Sequence, residues 1–189
     1  MAPTEPSTSR VAHLLRGRRT INDFLAEVPP QATVLQAIEL ARWAPNHKLT
    51  EPWLFHLIGP QTKQAIVELN AQLTLETKGE AAAEKKRQRW SQVPGWLAVS
   101  CLQSNDALRA QEDYAACCCA VQNLSLFLWS EGIGTKWTTG GVTRHPEFYR
   151  LLEIDAEQRS IVGLIWYGYP AHTPEMRRRD VSEILVQLP

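Results

Sequence analysis

The stretch RWAPNHKLTEPW, residues 42–53, joins two predicted elements through a loop rich in aromatic and ionisable side chains. Its two prolines restrict the backbone around them, so we predict no helix over residues 46–51. Before the loop, apolar residues recur at helical spacing and predict a helix over residues 31–43. After the loop, the run WLFHLI, residues 53–58, has the length of a strand.

Two side chains of this loop, His47 and Lys48, are able to donate hydrogen bonds to an electron-rich ligand. On their own, such residues are more often exposed loop residues. A tryptophan stands on each side of the loop, at Trp43 and Trp53.

The rest of the chain mixes helical and extended patterns without an internal repeat. A short first helix is expected over residues 9–17, and residues 61–90 are helical by composition, with a charged stretch EAAAEKKRQR that indicates a solvated face or a lid. The runs WLAVSCL, residues 96–102, and SIVGLIWY, residues 160–167, have strand length. The segment GIGTKW begins a further extended stretch, and the His145-Pro146 pair opens a short helix. Because strands and helices do not alternate strictly, the pattern favours an α+β or mixed α/β domain.

The composition is that of one globular domain. The chain has 189 residues, of which 44% are hydrophobic and 21% charged, and its 20 basic side chains balance 20 acidic ones. We expect a flexible N-terminus over residues 1–9 and a single domain over residues 10–189. The charge balance favours neither nucleic acid nor an anionic membrane, and no apolar run approaches the roughly 20 residues that span a bilayer.

The four cysteines indicate a reducing compartment. Three of them, Cys117, Cys118 and Cys119, are consecutive, and on a helix they point in directions about 100° apart, so they cannot chelate one metal ion together. We expect no metal site, and we interpret the cysteines as small buried side chains of a cytoplasmic protein without a secretory signal.

The segment DYAACCCAVQNLSLFLWSEG, residues 113–132, is apolar almost all the way round and is predicted to be a helix buried on every side. It is expected at the centre of the core or, as we favour for a domain of this size, in a subunit interface. Gly132 suits the left-handed residue that ends a helix.

Three further groups of residues are able to bind a ligand. Arg18-Arg19-Thr20 follows the first helix, and Arg177-Arg178-Arg179 lies near the C-terminus; arginine forks suit a phosphate, although each cluster alone is more often solvated surface. The glycine-rich segment GIGTKWTTGG, residues 132–141, permits close approach of the backbone to a flat or phosphorylated ligand. It fits neither the dinucleotide-binding pattern nor the P-loop.

These motifs, in this order, resemble the FMN-dependent nitroreductase family. The resemblance rests on RRT, ARWAPNHKLTEPW, QNLSLFLWSEGIGTKWTTGG and a final GYP followed by RxR, and it covers about residues 10–189. The H-K pair of the loop is typical of the short, minimal subgroup. The resemblance implies a nitroreductase-like α+β fold with a central, mostly antiparallel sheet flanked by helices. It also implies an interlocked homodimer with two FMN sites at its interface and NAD(P)H as the electron donor.

The resemblance also implies which residues meet the cofactor. Arg18 and Thr20 correspond to residues that bind the phosphate and ribityl oxygens, with Arg19 between them, and Arg177 and Arg179 correspond to a phosphate-binding pair. The loop and the glycine-rich segment are expected at the flavin ring, and a backbone N–H of the latter is expected at N5. The expected ring contacts are Trp43, His47, Trp137, Thr138 and Thr139.

One departure from the family concerns charge. Many members carry Arg or Lys two residues after the hydroxyl of the first motif, close to flavin N1 and O2, whereas this chain has Asn22. A cation there offsets the negative charge of the reduced flavin. We expect His47 or Lys48 to supply the missing positive potential; without any cation, the redox potential would be lower. The loop also carries Leu49 and Glu51 where the commoner form of the motif has asparagine and glutamine.

The expected function is reduction of nitroaromatic, quinone or similar electron-poor acceptors by ping-pong hydride transfer. Shape and binding of the flavin carry this chemistry, so no residue is assigned as a proton donor. Trp43, Trp53, Trp90 and Trp96 are candidates for the substrate slot, although core packing is as good an interpretation for each. Three alternatives stay open: other flavin chemistry on the same fold, such as dehalogenation or flavin fragmentation; a non-catalytic flavin-binding sensor or carrier; and a structural homodimer.

Overall fold

Four strands and six α-helices make up residues 10–189, the part of the chain that the computed structural model describes. The helices are α1 (Arg10–Gly17), α2 (Gln31–Ala41), α3 (Pro60–Lys78), α4 (Glu80–Ser91), α5 (Ala107–Ser130) and α6 (Pro146–Leu151). The strands are β1 (Trp53–Leu57), β2 (Gly95–Leu102), β3 (Gly134–Thr138) and β4 (Arg159–Gly168). One turn of 3-10 helix occurs at each of His47–Leu49, Gly141–Arg144 and Val181–Glu183. The predicted flexible N-terminus, residues 1–9, lies outside the described residues.

The strands form one antiparallel sheet in the order β1-β2-β4-β3, which confirms the predicted antiparallel sheet. β4 is central: it pairs with β2, where Trp166 faces Trp96, and with β3, where Tyr167 faces Thr135. Both β2 and β4 are buried over most of their length, which explains why their sequences read as near-continuous apolar runs.

Helices cover both faces of the sheet. Since side chains alternate along a strand, Leu97 and Ile165 face the core formed with α2 and α5, whereas their neighbours Trp96 and Trp166 face the core formed with α3, α4 and α6. On the second face, Trp90 from α4 joins the two strand tryptophans, with ring centroids 5.0–6.1 Å apart. The predicted helix-flanked sheet is therefore confirmed.

The helical stretch predicted over residues 61–90 is confirmed, but it is divided into two helices. The chain forms two helices, α3 and α4, that pack against each other and meet at Gly79. Gly79 has φ +82°, a left-handed conformation that costs glycine little and other residues more. The helix-forming residues on both sides conceal this single-residue break in the composition.

In the single chain the helix α5 is not buried on every side, so it does not lie at the centre of the core; the favoured position in a subunit interface stays a prediction. Its inner face is buried in the core, but Leu108 and Tyr114 remain 64% and 45% exposed and Cys119 is exposed as well. The helix begins at Asp106, whose carboxylate accepts hydrogen bonds from two backbone N–H groups of the first turn. It is followed by Gly132 with φ +76°, as predicted.

One of the two buried thiols is held in its protonated form. All four cysteines are free, and Cys101 and Cys117 are buried. The hydrogen bond with Cys101, followed by burial, raises the pKa of the Cys117 thiol, so Cys117 stays protonated and unreactive. None of the helices described is long and apolar enough to cross a membrane.

Candidate functional site

The C-terminal segment after β4 returns beside the segment after α1. The backbone N–H of Ala171 donates to the carbonyl of Asp23 (3.0 Å), and Arg19 Nε donates to the carbonyl of Pro174 (3.1 Å). The Nη1 of Arg19 donates to the three carbonyls of residues 16–18. Arg19, predicted as a phosphate ligand, thus uses most of its donors in hydrogen bonds to backbone carbonyls and connects the segment after α1 to the segment after β4.

The two arginine clusters predicted from the sequence converge. Burial, then the nearby charges of Arg178 and Arg19, lower the pKa of the Arg18 guanidinium. Within residues 10–189, none of these three guanidinium groups forms an ion pair with a carboxylate. The C-terminal arginine that acts on Arg18 is therefore Arg178, which lies between the predicted Arg177 and Arg179; all three are exposed, whereas Arg18 is partly buried. The result is a half-buried positive site without an internal counter-ion.

Thr20 links this positive site to the edge of the sheet. It pairs with Thr135 of β3 in a parallel bridge, and the N–H of Ile21 donates to the carbonyl of Thr135 (3.0 Å). Ile21 fits there because position 134 is glycine: a Cβ on Gly134 would lie 2.3 Å from the Ile21 side chain. The segment from Arg18 onward therefore runs along β3.

The next residues of β3 are the predicted ring contacts. Trp137 is 38% exposed, and its ring lies over Gly163 of β4, with Nε1 donating to the carbonyl of Val162 (3.1 Å). Thr138 Oγ1 donates to the carbonyl of Leu164 (3.1 Å), so its hydroxyl group forms a hydrogen bond within the sheet. Thr139, just past the strand, is exposed, so of the two threonines it is the one whose side chain faces outward.

The loop after α2 is held in an unusual conformation by its own polar groups. Asn46 donates from its side chain to the carbonyl of Ala44 (3.2 Å) and accepts from the N–H of Glu51 (3.0 Å). Although residues 46–51 were predicted to be free of helix, one 3-10 turn forms there, and Lys48 and Leu49 have φ of +54° and +52°. Such left-handed conformations in bulky residues are costly and persist where surrounding contacts impose them.

This loop rests on the N-terminal end of α5. Thr50 Oγ1 donates to the buried carboxylate of Asp113 (2.5 Å), and His47 Nδ1 lies 3.8 Å from Glu112 Oε1. A cavity of about 210 Å³ opens between loop and helix. Its lining is His47, Lys48, Thr50, Asp106, Leu108, Arg109, Glu112 and Asp113. Trp43, before the loop, is 73% exposed and donates to Glu39 (3.4 Å).

Within one chain, the loop and the arginine site lie at opposite ends of α5. The loop contacts Glu112, whereas α1 packs near the other end, where a Cβ on Gly17 would lie 3.3 Å from Trp129 Nε1. From residue 112 to residue 129 the helix rises about 25 Å at 1.5 Å per residue. A single chain therefore does not bring His47 or Trp43 to Arg18.

Sequence reasoning missed Lys136. Its Nζ donates to Asn22 Oδ1 (2.8 Å) and lies 4.9 Å from the ring centroid of Trp166. Asn22 and Arg89 also line one small cavity of about 60 Å³. Alternation along the extended segment around Lys136 was the available signal, since it places this side chain on the opposite face from Trp137. The cation beside Asn22 is thus neither His47 nor Lys48 of the same chain.

Three of the four tryptophans considered for a substrate slot are core residues. Trp90 and Trp96 are 7% and 1% exposed within the tryptophan cluster on the α3–α4 face, and Trp53 is 9% exposed beneath α2. Only the fourth, Trp43, has an exposed ring, so it is the member of this set available to a ligand.

Comparison with known proteins gives a consistent result. Residues 15–169 match the sequence model of the nitroreductase family. The chain is 31% identical over 170 residues to YfhC of Bacillus subtilis, named "Putative NAD(P)H nitroreductase", and the match covers 88% of this chain and 87% of that protein.

Solved structures share the fold. A nitroreductase-like family protein from Bacillus cereus superposes with a TM-score of 0.84 at 26% identity, over 98% of this chain and 99% of that one. A protein from Desulfovibrio desulfuricans, crystallised in complex with FMN, superposes with a TM-score of 0.75 at 22% identity, over 96% and 98% of the two chains.

Proposed function

We propose that this chain, which belongs to the nitroreductase family, is an FMN-dependent oxidoreductase that uses NAD(P)H to reduce nitroaromatic, quinone or similar electron-poor acceptors by ping-pong hydride transfer. Family membership and the relative named for NAD(P)H nitroreductase activity support this proposal. The fold shared with a protein crystallised with FMN supports the choice of flavin.

The observation that carries the proposal is the convergence of Arg18, Arg19 and Arg178 without a carboxylate partner in the described chain. Gathering guanidinium groups is unfavourable because like charges repel, and partial burial adds a desolvation cost. A bound phosphate reverses both effects, since it accepts paired hydrogen bonds from a guanidinium fork. We assign the phosphate of FMN to Arg18, with Arg178 as a basic neighbour and Arg19 as the residue that fixes the backbone around it.

The edge of the sheet suits the rest of the cofactor. Thr20 is exposed beside β3 and offers a hydroxyl where a ribityl chain would leave the phosphate. Further along, the half-exposed ring of Trp137 and the outward-facing Thr139 border glycines 140 and 141, next to which nothing lies within 4 Å of an added Cβ. An apolar surface with few polar groups and open space is what a flat ring needs. When bound, FMN supplies a ring that accepts a hydride and passes it to an acceptor.

A second copy of the chain completes the site. The exposed apolar side chains of α1 and α5, such as Val11, Leu15 and Tyr114, are typical of an interface. If two copies of α5 pack antiparallel about a two-fold axis, the N-terminal end of one helix meets the C-terminal end of the other. The partner subunit's His47 and the partner subunit's Trp43 then approach Arg18, which the same chain's residues cannot do. The loop covers the ring and excludes water from it.

Optical titration tests the proposed activity. The purified protein is expected to be yellow or to become yellow with added FMN; anaerobic NADH or NADPH should bleach it, and a nitroaromatic should restore the colour. Colour without bleaching contradicts the reductase and indicates a flavin-binding sensor or carrier. A protein that ignores added FMN contradicts the whole proposal.

Mixing of subunits tests the shared site. The Arg18→Ala and His47→Ala homodimers each lack one contact in both of their sites. Co-expressed, they form mixed dimers in which one site keeps Arg18 of one subunit and the partner's His47, and the other site loses both. Recovery of FMN binding in about one site per mixed dimer is expected. No recovery on mixing means that each site is built from a single subunit.

A further inference from the structure

A lysine on the sheet edge directly precedes Trp137, which borders the surface proposed for the flavin ring, and its side chain lies on the opposite face of the strand; the inference drawn from it rests on that proposed function. Lys136 belongs to β3 and directly precedes Trp137. Its Nζ is fixed twice, by the hydrogen bond to Asn22 Oδ1 at 2.8 Å and by the face of Trp166 at 4.9 Å. Asn22 in turn lies four residues after Arg18 on the segment that runs alongside β3. For an extended chain this separation corresponds to about 13 Å. The ammonium is therefore placed beyond the phosphate site, on the side to which the ring would extend.

The surroundings of this ammonium are basic. Burial, then Arg89, then Lys86 lower the pKa of Lys136, and only the carboxylate of Asp23 acts in the opposite direction. In the described part of the chain Lys136 forms no ion pair. Three cations from α4 and β3 thus lie close enough to act on one another at this edge of the sheet, and in the described residues none of Lys136, Arg89 and Lys86 is paired with a carboxylate.

Hydride transfer to the flavin gives a physical reason for a positively charged group near the ring. Transfer of a hydride from NAD(P)H oxidises the nicotinamide and adds two electrons and one proton to the flavin, so the ring gains one negative charge. That charge resides largely on the pyrimidine side, and a fixed cation beside it stabilises the reduced form more than the oxidised form. A cation at this place changes the redox potential without taking part in proton transfer.

We propose that Lys136, held in position by Asn22 and supported by Arg89 and Lys86, is the cation that stabilises the negative charge of the reduced flavin. An asparagine that orients a lysine from the neighbouring strand takes the place of a cation carried at position 22 itself. Both residues are needed: Asn22 has no charge, and without Asn22 the ammonium of Lys136 is held only by the face of Trp166.

The test compares FMN midpoint potentials and FMN affinities of variants, measured anaerobically by dye equilibration and by titration. For Lys136→Met we expect the affinity for reduced FMN, relative to oxidised FMN, to fall about tenfold, which for a two-electron couple is about 30 mV. Lys136→Arg keeps the charge and should restore most of the ratio. Asn22→Asp keeps the lysine but neutralises it with a carboxylate, so the ratio should fall as well; this variant serves if Lys136→Met does not fold.

A matched control is Lys63→Met. Lys63 is also half-buried and lies over the ring of Trp96, 5.9 Å from its centroid, but its Nζ donates to carbonyls at the end of α4. Its loss should leave the ratio unchanged. If the parent binds FMN and both Lys136→Met and Asn22→Asp keep the parental ratio, the inference is overturned while the proposed function stands. A parent that binds no FMN overturns both.

Discussion

The seat of Trp137 on the sheet allows a sharp test of the packing that shapes the proposed ring site. A Cβ added to Gly163 would lie 2.1 Å from Trp137 Nε1, far inside van der Waals contact, whereas the backbone of Gly163 itself has no positive φ. Gly163→Ala therefore forces the indole to move. Because the ring is already 38% exposed, it can swing outward, but it then loses the hydrogen bond to Val162.

The expected cost follows from these two losses. Overpacking of this kind costs about 1–3 kcal/mol, and the lost hydrogen bond costs about 1 kcal/mol more. We expect Gly163→Ala to lower the free energy of unfolding of the apo protein by about 2–4 kcal/mol. With a urea dependence of about 2 kcal/mol per molar, the midpoint of denaturation falls by about 1–2 M. Protein concentration is held constant so that association does not shift the midpoint.

A control and a double variant make the argument refutable. Gly140→Ala adds the same methyl group where nothing lies within 4 Å, and its effect should stay within about 0.5 kcal/mol. In a Trp137→Ala background the clash with the indole is absent. Gly163→Ala should then lower the free energy of unfolding by at least 1 kcal/mol less than in the parent, which is about the coupling energy expected for residues in contact. An equal cost in both backgrounds would show that the indole does not occupy this seat.

Three further outcomes are expected. Arg18→Ala should weaken FMN binding about 10- to 100-fold, since a charge-assisted hydrogen bond contributes about 1.5–3 kcal/mol, whereas Arg16→Ala, at an exposed position on α1, should change it less than threefold in fluorescence titration. Asp106→Ala removes the N-terminal cap of α5 and should lower the free energy of urea unfolding by about 1 kcal/mol, and an unchanged midpoint would contradict this role. Burial, then the charge of Arg159, lower the pKa of His56 below its ordinary value of 6.5. Between its folded pKa and 6.5 the unfolded chain therefore binds more protons, so stability decreases as the pH is lowered through that window, and His56→Gln should reduce the decrease in urea midpoint measured from pH 7.5 down to pH 5.5.

The sequence predicts this fold well where local patterns are strong. The apolar runs of β2 and β4 and the glycine after α5 mark their elements within a residue or two, because burial and backbone conformation act locally there. Gly79 is lost among helix-forming neighbours, since one left-handed residue leaves no mark on composition. The sequence also does not show which face of α5 is open, because apolar residues give the same pattern whether they face the core or a partner.

The candidate site is predictable only in part. The order of the motifs is enough to propose that both arginine clusters serve one ligand, and the structure brings Arg18 and Arg178 together. The contact between Asn22 and Lys136 joins residues 114 positions apart and depends on strand register, which no local pattern reveals. The separation of His47 from Arg18 depends on the length and direction of α5, so it becomes visible only in three dimensions.

The order of the strands in the sheet also has a consequence for folding during synthesis on the ribosome. β4, which holds β2 and β3 together, is the last strand to leave the exit tunnel, and the anchor at Pro174 follows it. Until then, two buried apolar strands lack their common neighbour, and pairing over such sequence distances is slow. The nascent chain is thus exposed to aggregation until residues 159–168 have emerged, and a molecule cut short before residue 159 lacks the strand that joins β2 to β3.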